Sequence, residues 1–256
     1  MPAAGTDSSS ADGPSSGGPH ADTHPADERG AGLRVEVLPV VFQVRTPADA
    51  DAAHPVLSVL LSEVPAGRWS LPRGDVADDE NLSASARRLV TETMGVRDVA
   101  HLEQLSVFSD PHRVPGIRTI ASSYLGLVPS DASSGLPGGA GWFAVDALPE
   151  VVFDHAAIIE TARHRLAAKL SYTNIAFALA PKRFPMSELS EIYCAALGYP
   201  VDTTNLLRIL SRRAVVVSTG TVGKTGRAGG RPPALYAFAD NELRVTDEFA
   251  TLRPPM

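Results

Sequence analysis

The sequence predicts an α/β sandwich on a mixed sheet, followed by helices closed by a two-stranded ribbon. Three observations carry that prediction. Short strand-like apolar runs recur between Leu33 and Val145 and surround one helix signal after Gly74. Helical spacing takes over from Phe153 to Arg213. Two apolar runs, 214–217 and 234–238, then flank a glycine-rich basic loop.

The first strand opens where Leu33, Val35 and Val37 alternate with Arg34 and Glu36, the period of a strand with one buried face, and the apolar run Val40 to Val44 continues it. A second strand spans 56–61, with a polar loop from Arg45 to Pro55 between the two. Beyond the helix signal come strands at 104–108 and 120–128, a loop of Ser, Gly and Pro at 129–140, and a last strand and turn at 141–149.

Size and composition bound the rest. At 256 residues the chain has room for one large or two small domains. A formal net charge of -6 excludes a surface coated in basic residues while leaving room for one local basic face. The single Cys194 cannot form an internal disulfide, which favours a reducing, cytoplasmic setting. There is no run of about 18 apolar residues, so no membrane-spanning helix is expected. Residues 1–32 lack the apolar segment of a signal peptide and are rich in Ser, Gly, Pro and Asp, so a disordered tail is expected there, with His20 and His24 solvated.

Gly74, Glu80, Arg88, Val90, Glu92, Gly95 and Val96 stand at a fixed spacing that resembles the Nudix box. Trp69-Ser-Leu-Pro-Arg73 before it is similar to the Leu-Pro segment leading into that box. The resemblance implies an α/β Nudix-type sandwich. Two positions depart: Leu89 and Thr93 stand where the family carries glutamates understood to hold magnesium and activate water. Four residues apart, they are expected to project from one helix face. Mg²⁺ needs oxygen ligands in near-octahedral array, so an isobutyl group cannot serve and a neutral hydroxyl is a poor replacement. No metal, no cofactor, no catalytic residue and no enzyme is therefore expected. The alternative is a Nudix hydrolase of ADP-ribose-like substrates with residual activity on Glu92, Glu80 or Asp79.

The stretch Leu102 to Arg118 narrows the resemblance. Phe108, Asp110-Pro111, Arg113 and Arg118 resemble the corresponding loop of NrtR-type proteins, the Nudix-related transcriptional regulators of NAD metabolism, and of the ADP-ribose-binding Nudix branch. The resemblance implies that Phe108, Asp110, Arg113 and Arg118 face a nucleotide, ADP-ribose or a related NAD metabolite. By residue type alone, the two arginines are equally solvated loop charges. Arg73, beside a diphosphate pocket, would suit anion binding or is a surface charge. Glu80 completes the expected ligand-binding set.

From Phe153 onward Ile158, Ile159, Ala162, Leu166 and Leu170 recur near helical spacing, with His155 either capping that helix or touching a ligand. Tyr172, Ile175, Ala176 and Leu179 predict another helix ended by Pro181. Ser187 is the expected cap of a helix over 188–197 that Gly198 stops. Asp202 caps a third, running to about Arg213, in which Leu206, Leu207, Ile209 and Leu210 are available to pack inward.

That third helix leaves Thr203, Thr204, Asn205, Arg208 and Arg212 on its other side, the layout of a winged helix-turn-helix whose recognition helix enters the major groove. Asn205 suits an adenine edge; Arg208, Arg212 and Arg213 suit phosphates. Lys224, Arg227 and Arg231, among the glycines of loop 219–231, fit a wing lying along the DNA backbone. Gly223-Lys224-Thr225 is not a P-loop, because Ser218 holds the place of its first glycine and Gly229 to Pro233 forbids the helix that must follow. The Gly-Gly-Arg-Pro turn at 229–232 also resembles the NrtR wing.

The expected order is a tail at 1–32, a degenerate Nudix-like sensing domain at 33–152, a linker helix and C-terminal winged helix-turn-helix domain at 153–243, and a C-terminal tail at 244–256. The resemblance implies a regulator, usually a repressor, of NAD biosynthesis or salvage genes. It would bind double-stranded operator DNA, respond to ADP-ribose or a related NAD metabolite, and act as a homodimer on inverted half-sites.

Overall fold

The computed structural model describes residues 32–47, 54–133, 135–223 and 232–248. The expected tail up to residue 31, and the wing residues Lys224, Arg227 and Arg231, lie outside the described residues.

Strand β1, Arg34–Arg45, is the spine of the sheet. It runs antiparallel to β2, Val56–Val64, and parallel to β6, Thr119–Val128, which makes the sheet mixed. With β3, Arg68–Ser70, and β5, His101–Phe108, the strand order is β3-β2-β1-β6-β5. The short β4, Gly74–Asp75, pairs with β1, and β7, Ala140–Ala144, pairs with β2.

The opening alternation predicts a strand with one wet face. Instead residues 36–44 are all buried, because helices cover both faces of the central strand. Helix α1, Leu82–Arg88, sits on one face, where Ala86 joins Val37 and Tyr124. Helix α2, His155–Tyr172, covers the other, where Ile158, Ile159 and Leu166 meet Leu38, Val40 and Phe42.

After α2 the expected second helix shrinks to a single turn, Ile175–Ala178. The backbone there is held by the chain's later segment: Asn174 Nδ2 donates to the Glu242 carbonyl at 2.8 Å, and Asn174 Oδ1 accepts from Arg244 N at 2.8 Å. Helix α3, Met186–Leu197, starts one residue before the expected cap Ser187, directly after Pro185, and no side chain caps it. Gly198 ends it in the left-handed region at φ 77°, which a glycine adopts without penalty. Helix α4, Thr203–Arg212, is capped by Asp202, whose side chain accepts from Asn205 N at 2.7 Å.

Strands β8, Phe184–Pro185, β9, Val216–Val222, and β10, Ala234–Phe238, form a small sheet in the order β8-β10-β9. One apolar cluster runs unbroken from the large sheet into this module, joining Phe42 and Ile158 to Phe184, Leu189, Leu206 and Leu210. The N-terminal part of the fold therefore shares its core with the helix-turn-helix.

Candidate functional site

The box helix is where spacing alone misleads. Helix α1 widens after Arg88 into a π-turn over Leu89–Thr93, closed by Met94 N donating to the Leu89 carbonyl at 3.0 Å. In this wider turn, residues four apart no longer stack. Leu89 turns inward and is 5% exposed, packed with Val37, Ala86 and Tyr124, while Thr93 and Glu92 point to solvent. The expectation that Leu89 and Thr93 share a face is thus corrected. The residues present do not fit a magnesium ion: one former ligand position is core, and the other carries a solvent-facing hydroxyl.

Glu80 and Arg88 keep the box closed on itself. The Arg88 guanidinium bonds the Glu80 carboxylate at 2.8–3.0 Å, and Ser85 Oγ donates to it at 2.7 Å. The Arg88 bond, then the Ser85 bond, hold the Glu80 carboxyl below its ordinary range. With its oxygens so engaged, Glu80 braces the helix start rather than standing free for a ligand.

Arg113 needs the plainest correction. Far from facing a ligand as loop charge, its side chain is 1% exposed. Nη1 donates to Glu36 on β1 at 2.9 Å, while Nε and Nη2 form a two-pronged bond to Asp154, both at 2.9 Å. Burial alone would push the guanidinium down; the bonds to Asp154 and Glu36 more than reverse this and keep it charged. The sequence reading missed both partners. The one available signal was Glu36 itself, a carboxylate directly before the apolar run 37–42, which needs a partner once both faces are covered.

The other loop residues are placed as follows. Asp110 is exposed and accepts from His112 N at 2.7 Å, shaping the turn. Arg118 Nη1 donates to the Ser109 carbonyl at 2.7 Å and lines a shallow cavity of about 460 Å³ with Pro111, His112 and Val114. Phe108 is half-buried against the core. Arg73 is exposed, its guanidinium 5.9 Å from the centre of the Phe153 ring.

His155 neither caps α2 nor faces solvent: it is wholly buried, and its Nδ1 accepts from Leu71 N at 3.0 Å. Nε2 therefore carries the proton, and no described residue pairs with it. Burial holds the imidazole at about 4, so it is neutral at physiological pH.

On α4, Leu206 and Leu210 are buried, while Thr204, Asn205, Arg208 and Arg212 are exposed and Thr203 half-exposed. Arg208 Nη2 donates to Asn205 Oδ1 at 2.6 Å, joining two of the expected DNA-facing residues on one surface. Arg213 departs from expectation. It turns back to donate to the Ser171 carbonyl at 3.0 Å and to Asp247 at 2.5 Å, tying the end of α4 to the end of α2.

Residues 176–238 match the NrtR DNA-binding winged helix domain. A crystal structure of NrtR from Shewanella oneidensis complexed with a 27mer DNA superposes with a TM-score of 0.67 at 26% identity, covering 80% of this chain and 93% of that one. A MutT/nudix family protein from Enterococcus faecalis shares the fold, with a TM-score of 0.65 at 21% identity over 82% of this chain and 89% of that one. A curated relative, the ADPR responsive transcriptional repressor NtrR of Acinetobacter baylyi, is 33% identical over 181 residues, 67% of this chain and 70% of the relative.

The chain belongs to the NrtR family. As an NrtR protein it joins a Nudix-type α/β sandwich to a winged helix, with α3 and α4 forming the helix-turn-helix and β9 and β10 framing the wing. Among the described residues no helix is long and apolar enough to cross a membrane.

Proposed function

We propose that this NrtR-family chain is a transcriptional repressor of NAD biosynthesis or salvage genes that binds operator DNA through α4 and the wing and responds to ADP-ribose or a related NAD metabolite. One observation carries the reading: α4 presents Thr204, Asn205, Arg208 and Arg212 outward from a helix-turn-helix whose other face is locked into the core by Leu206 and Leu210. The 33% identical relative, named an ADPR responsive transcriptional repressor, supports both the DNA partner and the effector. The wing residues Lys224, Arg227 and Arg231 are assigned to the DNA backbone by their sequence.

In this reading the part at 33–152 senses and the part at 153–243 binds DNA. Arg73, Phe108, Asp110 and Arg118 make up the ligand-facing set, while Glu80 and Arg113 act as braces behind it. The sensing part does not hydrolyse its ligand, because Leu89 and Thr93 take two of the box's magnesium-holding carboxylates away. The protein works in the cytoplasm, and a homodimer reads two inverted half-sites about one helical turn, or a multiple of one, apart.

The test is the double variant Arg208→Ala with Arg212→Ala. If each side chain contributes about 1–2 kcal/mol, affinity for DNA from the gene's own upstream region falls about hundredfold. Loss of phosphate contacts also flattens the salt dependence, by up to about two units if both arginines touch phosphate. Circular dichroism of the variant stays that of the parent, since both side chains are exposed. Unchanged affinity would assign the winged helix to a protein partner instead.

A further inference from the structure

We infer that Phe153 is the platform on which the base of the effector nucleotide stacks, with the Arg73 guanidinium on its other side; the inference rests on the proposed effector reading. The backbone of Phe153 is left-handed at φ 54°, a conformation that costs a bulky side chain of order 1 kcal/mol or more and that glycine would adopt freely. Its neighbours leave it no alternative. Val152 N donates to the Trp69 carbonyl at 2.9 Å, Asp154 is gripped by Arg113, and His155 is pinned by Leu71 N. Between these fixed points the chain turns Phe153 outward, and the residue is 44% exposed where Val152 and His155 are 4% and 0%.

The ring packs steeply on the buried His155 imidazole, centroids 5.8 Å apart, yet leaves nearly half its surface exposed, more than packing alone requires of a phenyl group. Beside that exposed surface stands Arg73, one of the residues assigned to the ligand. Direct stacking of a guanidinium on a ring needs about 3.5–4 Å, and a planar base between them needs about 7–8 Å, twice that contact distance. The observed 5.9 Å falls between the two, so an outward shift of the exposed Arg73 side chain admits a ring. The chemistry on offer is an apolar face on one side and a cation on the other. It suits a planar heteroaromatic base whose attached phosphates Arg73 can also reach, hence a nucleotide.

Calorimetric titration of the full chain with ADP-ribose, and with ribose 5-phosphate as a base-free probe, tests the inference. Phe153→Ala should weaken ADP-ribose binding about tenfold or more, from the loss of one base-aromatic stack, and leave ribose 5-phosphate binding unchanged. Phe153→Trp should retain ADP-ribose binding. Phe153→Gly separates ligand from fold, because relief of the left-handed strain offsets part of the packing lost with the ring, so the chain still unfolds cooperatively in urea while ADP-ribose affinity falls. ADP-ribose bound equally well by wild type and Phe153→Ala would overturn the stacking role and leave the effector reading standing. A wild type that does not bind ADP-ribose would overturn both.

Discussion

Replacing Arg113 by methionine is expected to cost about 3–5 kcal/mol of folding stability. Among the described residues the guanidinium is the only hydrogen-bond partner of the Glu36 carboxylate, which is 2% exposed. Removing the cation leaves that carboxylate unpaired in the sheet's interior; it also frees Asp154 at the start of α2. Urea unfolding followed by circular dichroism reads the loss as a lower midpoint. The charge argument makes a second demand. Adding Glu36→Leu and Asp154→Asn to Arg113→Met should recover most of the loss, because a buried ion network is often replaceable by apolar groups of similar volume at little net cost. A triple variant no more stable than the single one would assign the cost to lost packing rather than to a stranded charge.

Leu89→Glu, which puts back one of the two carboxylates missing from the box, is expected to destabilise the fold by about 3 kcal/mol or more and to gain no magnesium-dependent hydrolysis. The π-turn aims residue 89 at Val37, Ala86 and Tyr124, and Gly74 lies so close that a Cβ added to it would sit 3.5 Å from a Leu89 methyl. A carboxyl group there meets apolar neighbours instead of water. Unfolding midpoint and release of AMP from ADP-ribose with and without Mg²⁺ are the two readouts. Appearance of AMP in the single variant would show that the box helix can still present a ligand at this position.

These two sites mark how far the sequence could be read. Strand and helix order was legible because apolar spacing is local: β1, β2, β5, β6, α2 and α4 lie where their patterns place them. The nearly continuous burial of β1 was not, since alternation over 33–37 says nothing about a helix packing on the second face. The π-turn was invisible for a related reason, because a pattern of matched positions assumes the regular helix on which they were defined. Arg113 was misplaced because its partners lie 77 and 41 residues away, and loop arginines with and without such partners read alike. The helix expected after Tyr172 failed to long-range contacts, with Asn174 held by residues 242 and 244 near the other end of the module. On α4, by contrast, Asp202, the leucines and the outward polar face are set within ten residues, and the structure places them as the spacing does.

In the proposed mechanism the sensor binds its nucleotide without consuming it. Purified full-length chain bound to labelled DNA from its own upstream region should be titrated with ADP-ribose in the presence of Mg²⁺, following anisotropy and AMP in the same sample. The expected result is a change in DNA affinity of about 5–150-fold, for a coupling of about 1–3 kcal/mol, and no AMP formed. Steady release of AMP with DNA affinity unmoved by ADP-ribose would contradict it.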